Sequence, residues 1–323
     1  MRLFKNNNGK LSKVNGDPFK LERNIQELVE NNTKEIFDLD FISSEFRIGE
    51  YRIDSLCFDN ETNSFVIIEY KKGSSYSVID QGYSYLSTML NNKSDFILEY
   101  NEQTKKTLRR DSVNWSQSRI IFVSPSFNSY QKNSVNFKDI PFELWEIKKY
   151  SNQTISLNPI ISNSKESIES ISNTNDNIIK TVSEEVKVFT IEDLISDSNQ
   201  EVQDIWNKIY NTLLETDFDE TRFNFTKNYV RFSKTDNSVV SYFKFNKSSL
   251  RVLIMGGTVY DGGKRTSKHY FELDDYKKIS TKHIKRYKDG LTTQVEYKIQ
   301  VSSEKDVNYV ISLIKQRYDS LNK

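Results

Sequence analysis

The sequence predicts a mixed α/β fold, a sheet flanked by helices, followed by a smaller α+β domain. Three observations predict it. Helical and strand periodicities alternate through the first half of the chain. A strand–turn–strand unit sits at the centre of that half. A Ser/Asn-rich stretch without an aromatic residue, 156–186, separates the two halves.

In order along the chain, residues 1–17 are rich in Asn, Lys and Gly and read as a flexible or loosely paired leader. Leu21, Ile25, Leu28, Val29, Ile36 and Phe37 recur at helical spacing, which predicts a helix over 21–37. Arg47–Phe58 and Ser64–Lys71 read as two strands joined by the turn-rich Asp59–Asn63. Val78–Leu90 reads as a second helix, and Phe96–Tyr100, Ser118–Ser124 and Phe142–Tyr150 as further strands. Residues 1–155 then form one domain and 156–186 a linker. Within 187–323, Asn199–Leu214 reads as a helix. Arg222–Ser233, Val239–Asn246, Leu250–Met255 and Glu296–Val301 read as strands. Ser303–Leu321 is a closing helix with Ser303 at its N-cap.

Composition removes several function classes. The chain has 323 residues, 28% of them charged, and no apolar run near the ~18 residues of a membrane span. No apolar segment of signal-peptide type opens it. Cys57 is the one cysteine, which excludes an intramolecular disulfide and fits a reducing cytoplasm. Two histidines, His269 and His283, leave little for a polyhistidine metal site. Charge is unevenly spread: residues 1–155 hold 21 Lys/Arg against 21 Asp/Glu, whereas 221–323 hold 21 against 10. Such a block reads as a polyanion-facing surface or as a solvated lysine-rich face.

The central hairpin carries the chemistry. A turn centred between Glu61 and Thr62 makes paired residue numbers sum to about 123, which sets Asp54 opposite Glu69. Alternation puts Glu69 and Lys71 on one face and leaves Val66, Ile68 and Tyr70 to pack against a helix. Two facing carboxylates repel unless a cation sits between them. Mg²⁺, or Mn²⁺ in its place, takes such oxygen ligands, polarises a phosphoryl group and helps form hydroxide from bound water. The Lys71 ammonium would stabilise charge developing on the phosphorus oxygens. Phosphodiester hydrolysis calls for this set.

The pattern Ile53-Asp54, fourteen intervening residues, then Glu69-Tyr70-Lys71 resembles the PD-(D/E)XK nuclease superfamily. Its restriction-endonuclease-like mixed sheet is the fold this resemblance implies. The next helix carries Gln81 ahead of Tyr85, a recurring companion in that superfamily. Glu22 opening a helix, Glu45, Arg52-Ile53-Asp54 and Glu69-Tyr70-Lys71-Lys72-Gly73 are most similar to the NucS/EndoMS branch. The resemblance covers about residues 18–150. It implies a metal-dependent DNA endonuclease in genome defence or repair, with Asp54 and Glu69 as metal ligands, Lys71 and Gln81 completing the catalytic set, and Lys72 on DNA. Glu22 is explained equally well by the helix dipole, and Tyr85 by the core. The competing reading is a non-catalytic nucleic-acid-binding or regulatory module on the same fold.

The second domain resembles one attached to some GmrSD-type restriction proteins, through Thr190–Leu194, the helix with Trp206 and the closing helix. Its loop Gly256–Arg265 lacks the G-x-x-x-x-G-K-[ST] spacing of a nucleotide-binding loop. Lys282, Lys285, Arg286 and Lys288, interleaved with Tyr276 and Tyr287, are candidates for a nucleic-acid backbone or for an ordinary solvated helix or loop. DNA is the expected partner, no membrane is expected, and a homodimer or a protein partner stays open.

Overall fold

A computed structural model describes residues 3–72, 77–161, 164, 166–167, 177–215, 218–260, 270–286 and 292–322. The chain divides into two units, Met1–Val188 and Phe189–Lys323.

The first unit opens with an antiparallel pair, β1 (Leu3–Asn7) and β2 (Lys10–Val14), turned through Asn8 and Gly9 at positive φ. Residues 21–37 form two helices, α1 (Glu22–Glu30) and α2 (Thr33–Phe37), rather than the single one expected. The Asn31 and Asn32 side-chain amides donate to the carbonyls of Glu27 and Leu28 and end α1 there.

A six-stranded mixed sheet follows, ordered β3 (Asp40–Ile48), β4 (Tyr51–Asp59), β5 (Ser64–Tyr70), β6 (Arg119–Ser124), β7 (Phe142–Lys149) and β8 (Ile155–Ile160). The outer pairings are antiparallel, whereas β5, β6 and β7 run parallel and end on the same edge. Helices cover both faces. Ile25 and Val29 of α1 pack on Val66, Ile68 and Tyr70. On the other face, α3 (Val78–Asn91) and α4 (Lys93–Thr104) pack on Phe58, Phe65, Ile67 and Phe122. A short α5 (Ser129–Ser134) lies between β6 and β7.

Two expectations are corrected here. Phe96–Tyr100 is helix, because Phe96 and Tyr100 are one turn apart and both bury against Phe65. Residues 156–186 are not simply a linker. β8 pairs with β7, and α6 (Asn177–Glu185) packs on α3, with Val182 and Val186 buried in the same core.

The second unit holds α7 (Ile191–Ile195), α8 (Gln200–Glu215) and a closing α9 (Val307–Leu321). Its antiparallel sheet is ordered β13 (Ser280–Arg286), β14 (Thr292–Val301), β12 (Ser249–Tyr260), β11 (Val239–Asn246), β10 (Val230–Lys234) and β9 (Thr221–Phe225). Trp206 of α8 and Leu313 of α9 lie in its core with Phe232, Phe243 and Ile254. Ser303 caps a 3-10 turn ahead of α9 through the Lys305 N–H. The stretch 189–220 carries nine Asp/Glu against Lys208, so the whole unit holds 22 Lys/Arg and 19 Asp/Glu. The basic block of 221–323 is therefore largely offset within its own unit.

Candidate active site

The site forms where β4 and β5 part. Ser55 pairs with Ile68 and Asp59 with Ser64, so paired numbers sum to 123, and the next pair in that frame would be Asp54 with Glu69. The backbone ladder stops short of it. The Asp54 side chain replaces the missing bond, its Oδ2 accepting the Tyr70 N–H at 3.0 Å. The Lys71 N–H donates to the Val123 carbonyl at 3.0 Å, which extends β5 along β6 and fixes the base of the lysine side chain.

Glu69 is 2% exposed. Its Oε1 accepts from Lys71 Nζ at 2.6 Å and from Gln81 Nε2 at 2.8 Å. Gln81 reaches it from the first turn of α3, where the Ser77 hydroxyl caps the helix by accepting the Asp80 N–H. Glu69 Oε2 is buried with no hydrogen-bond partner. Burial, and then the nearby Asp54 charge, push the Glu69 carboxyl up to about 7 against the opposing pull of Lys71. The Asp54 carboxyl is also raised, by burial and the charges of Glu45 and Glu22, against the Tyr70 N–H and Lys71.

Asp54, Glu69, Lys71 and Gln81 are thus brought together. Lys72 lies beside them, its N–H donating to Glu22 Oε2 at 2.8 Å and its ammonium to the Lys20 carbonyl. The second-unit residues are placed differently. Lys282 and Lys285 lie on the edge strand β13, not on a helix or loop, and three residues apart they face opposite sides. Lys282 Nζ contacts Glu272 at 3.3 Å and the Tyr270 hydroxyl at 3.4 Å. Arg286 closes β13 against Thr293. Lys288, Tyr287, His269 and Gly73 lie outside the described residues.

Three neighbours were not assigned to the site from sequence. Tyr85 is a core residue whose hydroxyl nevertheless donates to the Arg52 carbonyl at 3.1 Å and accepts from Gln81 at 3.1 Å. The Gln81–Tyr85 spacing of one helical turn was the available signal. Glu45 stands opposite Asp54 with φ 57, and the β3–β4 ladder, in the same register on both sides, is interrupted at that pair. Gln26 of α1 donates to the Asp54 carbonyl at 3.1 Å and to Glu45 Oε1 at 3.4 Å, tying helix and strands together. The branch resemblance marks Glu45 on the approach to Asp54, and no sequence signal marks Gln26. Glu30 serves the opposite face, accepting from the Ser55 hydroxyl at 2.6 Å, and Ser55 in turn bonds the Tyr70 hydroxyl.

Among the described residues no group of three His, Cys, Asp or Glu is placed to hold a metal ion. The donor set nevertheless suits a hard divalent cation: two carboxylates of raised proton affinity, one with an unsatisfied buried oxygen.

No family model matches the chain. A protein of Haemophilus influenzae (strain ATCC 51907 / DSM 11121 / KW20 / Rd), described as an uncharacterized protein, is 39% identical over 318 residues, 98% of this chain and 99% of that one. The two chains belong to one family. Among solved structures, a repair endonuclease from Pyrococcus abyssi is 20% identical at a TM-score of 0.21, over 36% of this chain and 43% of that one. An EndoMS–dsDNA2 complex is 20% identical at 0.22, over 40% and 47%. SfsA of Pyrococcus furiosus in complex with Ca²⁺ is 11% identical at 0.23, over 46% and 75%. The chain spans less than half the length of the first two. At these TM-scores the functional reading rests on side-chain geometry.

Proposed function

We propose that the chain is a metal-dependent DNA endonuclease acting in genome defence or repair, with its phosphodiester chemistry at Asp54, Glu69 and Lys71. One observation carries the reading: the buried Glu69 carboxylate and the half-buried Asp54 carboxylate beside an ammonium, with Glu69 Oε2 left unsatisfied. Such a pair costs stability in a purely structural role and is compensated by a divalent cation.

Asp54 and Glu69 would hold Mg²⁺ or Mn²⁺. When bound, the ion polarises the scissile phosphate and lowers the pKa of a water molecule. Lys71 stays on the same Glu69 oxygen as Gln81, so its ammonium is directed at the carboxylate pair, where it can stabilise negative charge on a phosphate. Lys71 and Gln81 hold Glu69 Oε1, with Tyr85 accepting from the same Gln81 amide, and leave Oε2 for the ligand role. Asp54 is fixed by the Tyr70 N–H through one oxygen only.

The competing reading is a non-catalytic nucleic-acid-binding module, in which Lys71–Glu69 is a structural ion pair. The lack of a third clustered ligand among the described residues favours it. Cleavage of plain, mismatched, branched and modified DNAs with Mg²⁺ or Mn²⁺ separates the two. Asp54→Ala and Glu69→Ala should each lower cleavage by at least about 100-fold with the fold intact. Absence of cleavage with either ion would leave the binding module as the better reading.

A further inference from the structure

The N-terminal hairpin has no core of its own. From Leu3 to Val14 only those two end residues are half-buried, while Phe4 is 45% and Leu11 is 62% exposed. A lone two-stranded ribbon is marginal in water, so a projecting one with exposed apolar side chains asks for a partner.

Its charge names the partner's chemistry. Residues 3–14 contain Lys5, Lys10 and Lys13 and no acidic residue, whereas 15–188 hold 20 Lys/Arg against 26 Asp/Glu. The register sorts the ribbon's faces: Phe4 pairs with Lys13 and Asn6 with Leu11 on one, while Lys5 pairs with Ser12 and Asn7 with Lys10 on the other. Each face therefore offers cations, and one adds apolar side chains.

Its position names the purpose. The hairpin's root is bonded to the end of β7: Asp17 N–H donates to the Lys149 carbonyl, Ser151 N–H to that of Asn15, and Gly16 bridges Tyr150. That is the edge at which parallel β5 ends in Glu69 and Lys71, two strands or about 10 Å away laterally; Glu69 lies level with Leu144, so the root at Lys149 is also about 16 Å further along the strand direction. From the root the chain runs through 17–21 directly to Glu22, which accepts the Lys72 N–H beside the carboxylates. A cleft of about 400 Å³ between root and sheet is flanked by Lys13, Lys148 and Lys149, the last of them paired with Asp17 at 2.8 Å.

We infer that β1–β2 is a DNA-contacting arm that grips duplex DNA beside the carboxylate site; the inference rests on the nuclease reading for its purpose but not for its test. A two-stranded ribbon fits the B-DNA major groove. Lysines on both faces reach phosphates, and Phe4 and Leu11 find cover against the duplex. An acidic site needs such help, because its own charge repels the polyanion it must approach. A second copy of the hairpin is the poorer occupant, since a symmetric pairing would set lysines against lysines.

The test uses the full-length chain in EDTA, with a labelled plain DNA duplex titrated from about 50 to about 200 mM salt. Lys5→Gln/Lys10→Gln/Lys13→Gln should weaken binding by about tenfold or more at the low end. It should flatten the log K against log salt slope by about 0.9 for each phosphate that is no longer neutralised. Phe4→Ser/Leu11→Ser should weaken binding with the slope kept. Both variants should match the parent in thermal stability, since the hairpin lies outside the cores. An unchanged slope, no duplex binding by the parent, binding to anionic vesicles in place of DNA, or a loss of self-association as the sole effect would each overturn the inference. The outcomes are separable from those of the cleavage assay. Slope loss without cleavage would keep the arm and remove the nuclease; cleavage with an unchanged slope would do the reverse.

Discussion

Replacing Glu69 by Gln should stabilise the metal-free protein, and the size follows from the site. The Glu69 carboxyl is pushed from 4.5 up to about 7 by burial and by Asp54, so the folded chain holds its proton more tightly than the unfolded one. Below about pH 4.5 the group is protonated in both states and costs nothing. Between pH 4.5 and 7 stability falls as the pH rises, and above 7 the full cost of about 3 kcal/mol is present. Gln removes that charge while its carbonyl can still accept from Lys71 and Gln81, and its amide replaces the unpartnered Oε2. Calorimetry in EDTA should therefore show parent and E69Q alike near pH 4 and separated by roughly 6–12 °C at pH 8. Adding Mg²⁺ should raise the parent by about 2.7 kcal/mol at a hundredfold excess over Kd and leave E69Q unmoved. Curves that stay parallel from pH 4 to 8 would refute the electrostatic account, and equal metal response would refute the assignment of Glu69 as ligand.

Gly82 lies on α3 beside Gln81, and a Cβ there would meet Phe142 Cζ at 2.5 Å. Gly82→Ala should cost about 1–3 kcal/mol in denaturant unfolding despite its better helix propensity, and should lower cleavage by displacing Gln81. Tyr85→Phe should lose the bonds to the Arg52 carbonyl and Gln81 at about 1 kcal/mol. A drop in cleavage larger than that stability loss explains would show that the hydroxyl positions Glu69. Arg119 Nη1 contacts Asp59 at 2.9 Å and its Nε contacts Glu143 at 2.8 Å. Arg119→Ala should destabilise by about 1–3 kcal/mol, read by urea unfolding, as it strands the nearly buried Asp59 carboxylate while Glu143 keeps its access to water.

The central hairpin was legible because its turn is marked by five polar residues between two apolar runs, which left one register. That register placed Asp54, Glu69 and Lys71 on one face before any helix position was known. β8 was illegible for the opposite reason. As an edge strand it keeps Asn158 and Pro159 exposed, so it carries the composition of a loop. β13 is the edge of the other sheet, where its lysines blunt pairing with further strands, a role that resembles a solvated helix in sequence. In α4, Phe96 and Tyr100 suit strand or helix equally, and only their shared neighbour Phe65 decides. The left-handed Glu45 and the four-acceptor reach of Gln26 are consequences of tertiary packing, with no local pattern to announce them.

The turn at the far end of the hairpin has a further effect. Asp59 Oδ1 accepts the Glu61 and Thr62 N–H groups at 2.9 and 3.1 Å, while its Oδ2 meets Arg119. Asp54 is five residues, about 17 Å of strand, from this anchor. A slip of β4 by one residue against β5 would present Ser55 in place of Asp54 beside Glu69, which β6 holds in position. A scan that scores activity alone would therefore flag Asp59 and Arg119 beside the metal-binding candidates. Melting curves taken in parallel would sort the two groups, since loosening the anchor costs fold and removing a ligand does not.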